Sequence, residues 1–456
     1  MRIINPATEE MIEDVAEDNR LTLTNKFQLL KQAQHSWQHT ALTDRIKTIQ
    51  GFSALLETNL ETLAGILTSE VGKPLQQSRN ELKGAITRIQ WLTQNAEQYL
   101  AGEWMKAETN PEEKFVYEPL GVVCNISAWN YPYLVGVNVF VPALIAGNAV
   151  MYKPSEYATL TGLEINKLLK KAGVPDAVFQ LAIGAGAVGD ALLHLPFDGY
   201  FFTGSYKTGK LVYEKAALKM VPCQCELGGK DPLYVAEDVR DIKDTAISAA
   251  EGAFYNSGQS CCSVERIYVH EKVYDRFVHE FVQEVKSWKI GLPTGEGVFI
   301  GPLTRKEQLA VLDQQVREAV RRGAFVLTGG KRPTHKGYYF EPTVLVNVTN
   351  DMSLMQDESF GPMIGIMKVA DDEEAVKWMQ DTEYGLTASV YSSNRQRAEG
   401  ILEQLNVGTG YWNCCDRVSA ALPWSGRNHS GIGATLSYIG LRAFTKTKAY
   451  HLKNPG

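Results

Sequence analysis

Between residues 148 and 204 the chain alternates β-branched or aromatic runs with helix-forming runs, and this alternation constrains the fold more than any other feature. The order is strand "NAVMYK", helix "LTGLEINKLLKKAG", strand "VFQLAI", helix "GDALLHL", strand "GYFFTG". Strands recurring at this interval with helices between them form βαβ units, so a parallel sheet covered by helices is expected. Ligands of such sheets bind beyond the C-terminal ends of the strands, which makes the residues after each strand candidates for chemistry. A second α/β series opens near "DPLYVAEDV" and runs past residue 400, and a strand-like tail, "AYHLKN", closes the chain.

The first hundred residues read as helical. In "LTDRIKTIQGFSALLETNLETLAGIL", Ile46, Ile49, Phe52, Leu56, Leu60, Leu63 and Leu67 recur every three or four positions, with Thr43 as a reasonable N-cap. The run "KFVYEPLGVVCNIS" then reads as extended strands on either side of Pro119. Leu134 to Val150 is almost wholly apolar, but Asn138, Pro142 and Asn148 interrupt it. At less than the roughly 20 residues that cross a bilayer, it is expected to be a helix buried in the core. No tandem repeat or low-complexity linker is present.

A chain of 456 residues can bury a large core and divide into about two or three domains. Its net charge of -6, without a basic block, disfavours binding to nucleic acid. Acidic residues crowd the first twenty positions, where a signal or transit peptide needs basic charge and an apolar run, so a cytoplasmic location is expected.

The stretch "YNSGQSCCSVER" sets Cys261 and Cys262 side by side. Seven cysteines, an odd count without the spacing of a secreted disulfide framework, are expected to be reduced. Adjacent cysteines rarely bridge, because the eight-membered ring is strained, and no C-x-x-C or His-x-x-x-His pair stands nearby to complete a zinc site. No metal is expected. The pair is left as inert thiols or as a nucleophile with its neighbour.

Three glycine-rich stretches are candidates for holding phosphate. "GAGAVG", residues 184 to 189, has the G-x-G-x-x-G form, but no acid follows about 20 positions later to complete the dinucleotide fingerprint, so a tight loop of small residues reads equally well. "GSYKTGKL" approaches a P-loop, yet Leu211 stands where a hydroxyl should hold magnesium, which disfavours an ATPase. What survives there is a strand ending in a Gly-Ser turn before a helix, whose backbone N–H groups can meet a pyrophosphate. In "ELGGKDP" the glycines come too early in the next unit for a phosphate cradle, and the acid is the more notable residue.

Together with "SAWNYP" (127–132), "YKPSE" (152–156), "FTGS" (202–205), "GQSC" (258–261), "ESFGP" (358–362) and "PWSGRNHSGIG" (423–433), "ELGGKDP" resembles, in family order, the NAD(P)-dependent aldehyde dehydrogenase superfamily. The resemblance covers nearly the whole chain. It implies an α/β fold with a Rossmann-like cofactor domain (1–111 and 125–227), an α/β catalytic domain (228–435) and a small β oligomerisation arm (112–124 and 436–456), giving a homodimer or homotetramer.

The resemblance makes Cys261 the nucleophile and Cys262 its neighbour. A thiolate attacks an aldehyde carbonyl, and the thiohemiacetal gives up hydride to nicotinamide and becomes a thioester. The side-chain amide of Asn130 and the backbone N–H of Cys261 are implied as oxyanion donors, and Glu226 as the base that activates water to release a carboxylic acid. For the cofactor, the resemblance implies Trp129, Lys153, Glu156, Gly204, Ser205, Glu358 and Phe360. NAD is expected over NADP, because a 2′-phosphate would face repulsion from Glu156, which Lys153 offsets in part.

The C-terminal motif departs from the family where Trp424-Ser425-Gly426-Arg427 replaces the usual Phe-Gly-Gly-Lys, near the substrate entrance. Tyr133, Asn138, Tyr255, Cys262, Trp412, Cys415, Asp416 and Arg417 are candidates for lining the substrate tunnel. They mix aromatic rings with both signs of charge, so a semialdehyde, an amino-aldehyde and a simple aldehyde all stay open. A cofactor-independent cysteine hydrolase, or a non-catalytic binding protein on the same fold, is the alternative, and NAD dependence separates them.

Overall fold

The computed structural model describes residues 1–108 and 110–455. Its first unit is built on the predicted βαβ series. Strands β1 (Val122–Ile126), β2 (Ala149–Lys153), β3 (Phe179–Leu181), β4 (Gly199–Thr203) and β5 (Cys223–Glu226) pair in parallel in the order β5-β4-β1-β2-β3. A two-residue strand, Gly431–Ile432, adds antiparallel to β5. β1, β2 and β4 are almost entirely buried, as expected of parallel strands covered on both faces.

The chain runs from β1 outward through β2 to β3, then returns to build β4 and β5 on the other side of β1. Strand order therefore reverses between β1 and β4, and the crevice for a ligand opens at the C-terminal ends of those two strands.

Helices α1 (Arg20–His39), α2 (Leu42–Thr58), α3 (Leu60–Val71) and α4 (Leu75–Leu100) precede the sheet. The helix expected to start near Thr43 begins at Leu42, because the carbonyl of Ala41 already accepts the N–H groups of Asp44 and Arg45. Asn59 interrupts the apolar periodicity and separates α2 from α3. The apolar run at 134–150 becomes most of α5 (Pro132–Ala146), a Gly147 cap in the left-handed conformation, and the start of β2. Among the described residues no helix is long and apolar enough to cross a membrane.

The second unit carries β6 (Asp231–Val235), β7 (Val264–His270), β8 (Phe325–Thr328), β9 (Thr343–Val346), β10 (Met363–Val369), β11 (Thr387–Tyr391) and β12 (Thr409–Trp412), ordered β8-β9-β10-β7-β6-β11-β12. Only the edge strand β8 runs antiparallel to its neighbour. Between β6 and β7 lies a helix, Ile242–Phe254.

A three-stranded antiparallel sheet forms the arm, with Glu112–Pro119 between Glu103–Lys106 and Thr445–Leu452. Residues 122–124, expected in the arm, open β1 instead, because Gly121, at φ 137, turns the chain out of the arm after Pro119. Residues 103–106, expected in the first unit, pair into the arm. The arm's last strand starts only at Thr445, since Phe444 stacks on Phe201 in the first unit's core, with ring centroids 4.3 Å apart.

Candidate active site

The two units meet with opposite ends of their strands. The first contributes residues at the C-terminal ends of β1, β4 and β5, and the second contributes those just before β6 and β7.

After β1, residues 127–131 lead into α5 and carry Trp129 and Asn130. The backbone carbonyl of Asn130 accepts from the buried Lys73 ammonium (2.7 Å) and from Asn256 Nδ2 (3.2 Å). Lys73 is ion-paired with buried Glu81, which also accepts the Tyr133 N–H at 2.8 Å. Helix α4 thereby fixes the start of α5. Asn130 Nδ2 donates to the Gln259 carbonyl (3.1 Å), its one bond to a described residue, so the second amide hydrogen remains to be given.

Cys261 sits at the end of a backbone held in unusual conformations. Asn256 and Ser257 have φ near 55°, and the two residues are held by bonds from the Asn256 N–H to the Gln77 side chain (2.9 Å) and from the Ser257 hydroxyl to the Gly301 carbonyl (3.0 Å). Gly258 has φ 70°, and a Cβ there would lie 2.2 Å from the Gly361 carbonyl, so the backbones of "GQSC" and "ESFGP" approach as closely as they do only because residue 258 is glycine. Gly229 of "ELGG" packs as closely, 2.5 Å from the Cys261 carbonyl to an added Cβ.

The adjacent cysteines differ. Cys261 is half-buried, whereas Cys262 is 5 % exposed and packs with Leu386, Trp424 and Leu436. The Cys262 thiol donates to Asp416 (3.1 Å), and the Cys261 side chain, together with burial, pushes its pKa well above the ordinary thiol value. Glu226 ends β5 at 7 % exposure, and its carboxylate accepts from the Thr435 hydroxyl. Burial pushes it up to about 7, against the lowering pull of Thr435 and of the Arg88 guanidinium.

Cys261, Cys262 and Glu226 share the wall of one cavity of about 510 Å³, with Tyr131, the residue after Asn130, on the same wall. Of the expected tunnel residues, Asn138, Tyr255, Cys262, Cys415, Asp416 and Arg417 line it. Tyr133 and Trp412 do not. The Tyr133 ring is fully buried beneath α4, and Trp412 borders a separate cavity with Arg240 and Asn413.

The remaining candidates cluster at the crevice. Trp129 packs edge-on against Phe360 at 5.5 Å. Ser205, after Gly204, is the N-cap of α6 (Tyr206–Ala217), and its hydroxyl bonds Thr208 (3.2 Å) rather than a backbone N–H, which leaves first-turn donors open. Lys153 ends β2, donates to the Pro154 carbonyl (3.2 Å) and stands 3.9 Å from the half-exposed Glu156 carboxylate. By contrast, "GAGAVG" follows the edge strand β3 and lies away from the reversal point.

Glu358 accepts the Gly229 N–H (3.0 Å), and burial, then the Glu265 charge, pushes its carboxyl up to about 8. Glu265 holds the loop by accepting the N–H groups of Ser359 (2.8 Å) and Phe360 (3.0 Å), while Lys230 pairs with it at 2.6 Å. Phe360 keeps φ 44° within that bracing.

Lys230, Glu265, Thr435 and Arg88 escaped the sequence reading. Lys230 stood inside a quoted motif, and Arg88 was visible as a charge on the apolar face of α4 between Ala85 and Ile89. Thr435 carries no local signal, since only the strand pairing of 431–432 with β5 brings its segment to Glu226.

A cysteine and a buried acid thus share a cavity beside the strand-reversal crevice of an α/β fold. Residues 1–450 match the aldehyde dehydrogenase family. The chain is 33% identical over 458 residues to the peroxisomal aminoaldehyde dehydrogenase 1 of Pisum sativum, an alignment spanning 98% of this chain and 91% of that one. A betaine aldehyde dehydrogenase from Staphylococcus aureus in complex with NAD+ superposes with TM-score 0.95 at 30% identity, covering 100% of this chain and 92% of its own. An E. coli NADP dependent enzyme superposes with TM-score 0.96 at 28% identity, covering 99% and 94%. The chain belongs to the aldehyde dehydrogenase family.

Proposed function

We propose that the chain oxidises an aldehyde to its carboxylic acid with NAD, using Cys261 as nucleophile and Glu226 as base. The observation that carries this reading is the shared cavity, in which a half-buried thiol and a carboxyl held near neutral pKa line the same wall.

The thiolate of Cys261 adds to the aldehyde carbonyl. The developing oxyanion is met by the free amide hydrogen of Asn130, whose backbone carbonyl is held by Lys73 and Asn256, and by the backbone N–H of Cys261. The chemistry required of NAD when bound is acceptance of a hydride, which leaves a thioester on Cys261. Glu226 then takes a proton from water, the hydroxide attacks the thioester carbon, and the C–S bond breaks to release the acid and the thiol. A base with pKa about 7 is half ionised at neutral pH, and its activity rises as pH climbs through that value.

The crevice residues fit a dinucleotide. Glu156 offers a carboxylate to ribose hydroxyls, Lys153 a neighbouring cation, Gly204 and Ser205 the open N-terminus of α6, and Trp129 and Phe360 an aromatic wall. Glu358 sits beside the cysteine loop, where it would hold the nicotinamide ribose. Glu156 would repel a 2′-phosphate, which supports NAD over NADP. The 1–227 part, apart from the arm, is the proposed cofactor domain and 228–435 the proposed catalytic domain. The arm, with Trp104, Met105 and Leu452 exposed along its outer strands, supports assembly into a homodimer or homotetramer.

The test is NADH absorbance with purified protein, NAD and small aldehydes, beside Cys261→Ser. Aldehyde-dependent NADH that the variant does not form is the expected result. NADH formation undiminished in the variant would overturn the assignment of Cys261, and faster turnover with NADP would overturn the cofactor preference.

A further inference from the structure

Arg88 is a charged side chain on the buried face of α4 at 8 % exposure, and it lines the cavity that holds Cys261 and Glu226. Its Nη1 is fully used: it donates to the Leu134 carbonyl (3.3 Å) and to Asn138 Oδ1 (2.9 Å), both on α5. Two anchors on a neighbouring helix fix the plane of the guanidinium. Its other edge, Nε and Nη2, bonds to no described residue, and Arg88 is in no salt bridge with one.

A buried cation without a counter-charge is costly, and buried charges in proteins are ordinarily paired. Glu226 is near enough to act on the Arg88 charge, but it makes no salt bridge with Arg88, and one of its oxygens accepts from Thr435. Asp416, the other acid deep in the cavity, is engaged by the Cys262 thiol. The free Nε/Nη2 edge has the geometry that grips a carboxylate with two parallel hydrogen bonds.

We propose that Arg88 is a specificity-determining residue, whose free edge receives a carboxylate at the far end of the substrate, so that the preferred aldehydes are ω-oxo acids and the products dicarboxylates. This rests on the dehydrogenase reading given above and sharpens it. It also sets this chain apart from relatives named for the cationic betaine aldehyde and for aminoaldehydes. The aldehyde end reaches Cys261 while the carboxylate stays at Arg88, with the short methylene chain against the apolar wall formed by Leu134 and Val135.

Three probes of similar length separate the possibilities: 4-oxobutanoate (anionic), butanal (neutral) and 4-(trimethylammonio)butanal (cationic). In the wild type, kcat/KM for 4-oxobutanoate should exceed that for butanal by roughly 10- to 100-fold, as expected for a charge-assisted pair. Arg88→Met should erase the ratio chiefly through KM, and Arg88→Lys should restore part of it; a merely structural role would lower all three substrates alike. Equal or better use of butanal or the cation by the wild type overturns the proposal and leaves the dehydrogenase reading intact. Failure of all three to yield NADH would count against that reading instead. A binding arm is independent of turnover: with Cys261→Ala protein and NAD, calorimetry should show 4-oxobutanoate binding at least about tenfold tighter than butanal, and adding Arg88→Met should remove the difference. Equal binding of the two overturns the proposal whatever the kinetics show.

Discussion

The two strand-end surfaces that meet at the site are built in contrasting ways. On the first unit, β2 and β4 end in loops that leave backbone and side-chain donors open: the Ser205 hydroxyl makes no capping bond to its own helix, and Lys153, among the described residues, donates only to a neighbouring carbonyl and stands near a half-exposed acid. On the second unit, the residues before β6 and β7 are clamped by the buried Lys230–Glu265 pair and by glycines packed at contact distance. An exchangeable ligand needs groups that are still unpaired, whereas a reacting atom needs a position that does not drift. The crevice is therefore open in its bonding, and the cysteine shelf is closed.

The sharpest way to break this contrast is to remove the proposed nucleophile. Cys261→Ser should cut NADH formation by about 10⁴-fold or more, since an alkoxide is not available to replace the thiolate. Cys262→Ser should cost far less, because that thiol is buried, protonated and bonded to Asp416. Steady-state kinetics on the two variants make the comparison. Next in size, Glu226→Gln should lower steady-state turnover by about 10²- to 10⁴-fold while keeping a first burst of one NADH per site, seen by stopped flow.

Lys230→Met tests the bracing. It strands the Glu265 carboxylate, and unfolding in urea should show a loss of about 3–5 kcal/mol. A loss under about 1 kcal/mol would mean that the shelf is not held by this pair. The smallest effect is expected from Thr435→Val. The Thr435 hydroxyl lowers the Glu226 pKa, so removing it raises that pKa further. The ionised base then appears only at higher pH, and the acid limb of kcat moves upward from about 7. A limb that stays in place would show that Glu226 does not set it.

What was legible in the sequence follows the same division. The βαβ alternation identified β2, β3 and β4 of the first unit, while β5 went unread, and the short motifs put forward Cys261, Glu226 and Asn130, because each is read within a few neighbouring residues. The partners that hold them were not legible in this way. Lys73 and Glu81 reach Asn130 and Tyr133 across some fifty positions, and Thr435 reaches Glu226 across 209. The arm's boundaries were misplaced for a related reason. Residues 112–126 are extended throughout apart from the break at 120–121, and only pairing partners decide that 112–119 joins the arm and 122–126 the first sheet. Local composition specifies strand, but not which sheet the strand enters.

The central claim is that, of two adjacent cysteines, Cys261 carries the acyl group, and one measurement addresses it directly. Glu226→Gln protein is mixed with NAD and an aldehyde substrate, quenched in acid after the NADH burst, digested and fragmented in a mass spectrometer. The account predicts one acyl group per chain, located by the fragment ions on Cys261. An acyl group on Cys262, or a full NADH burst with neither cysteine modified, would contradict it.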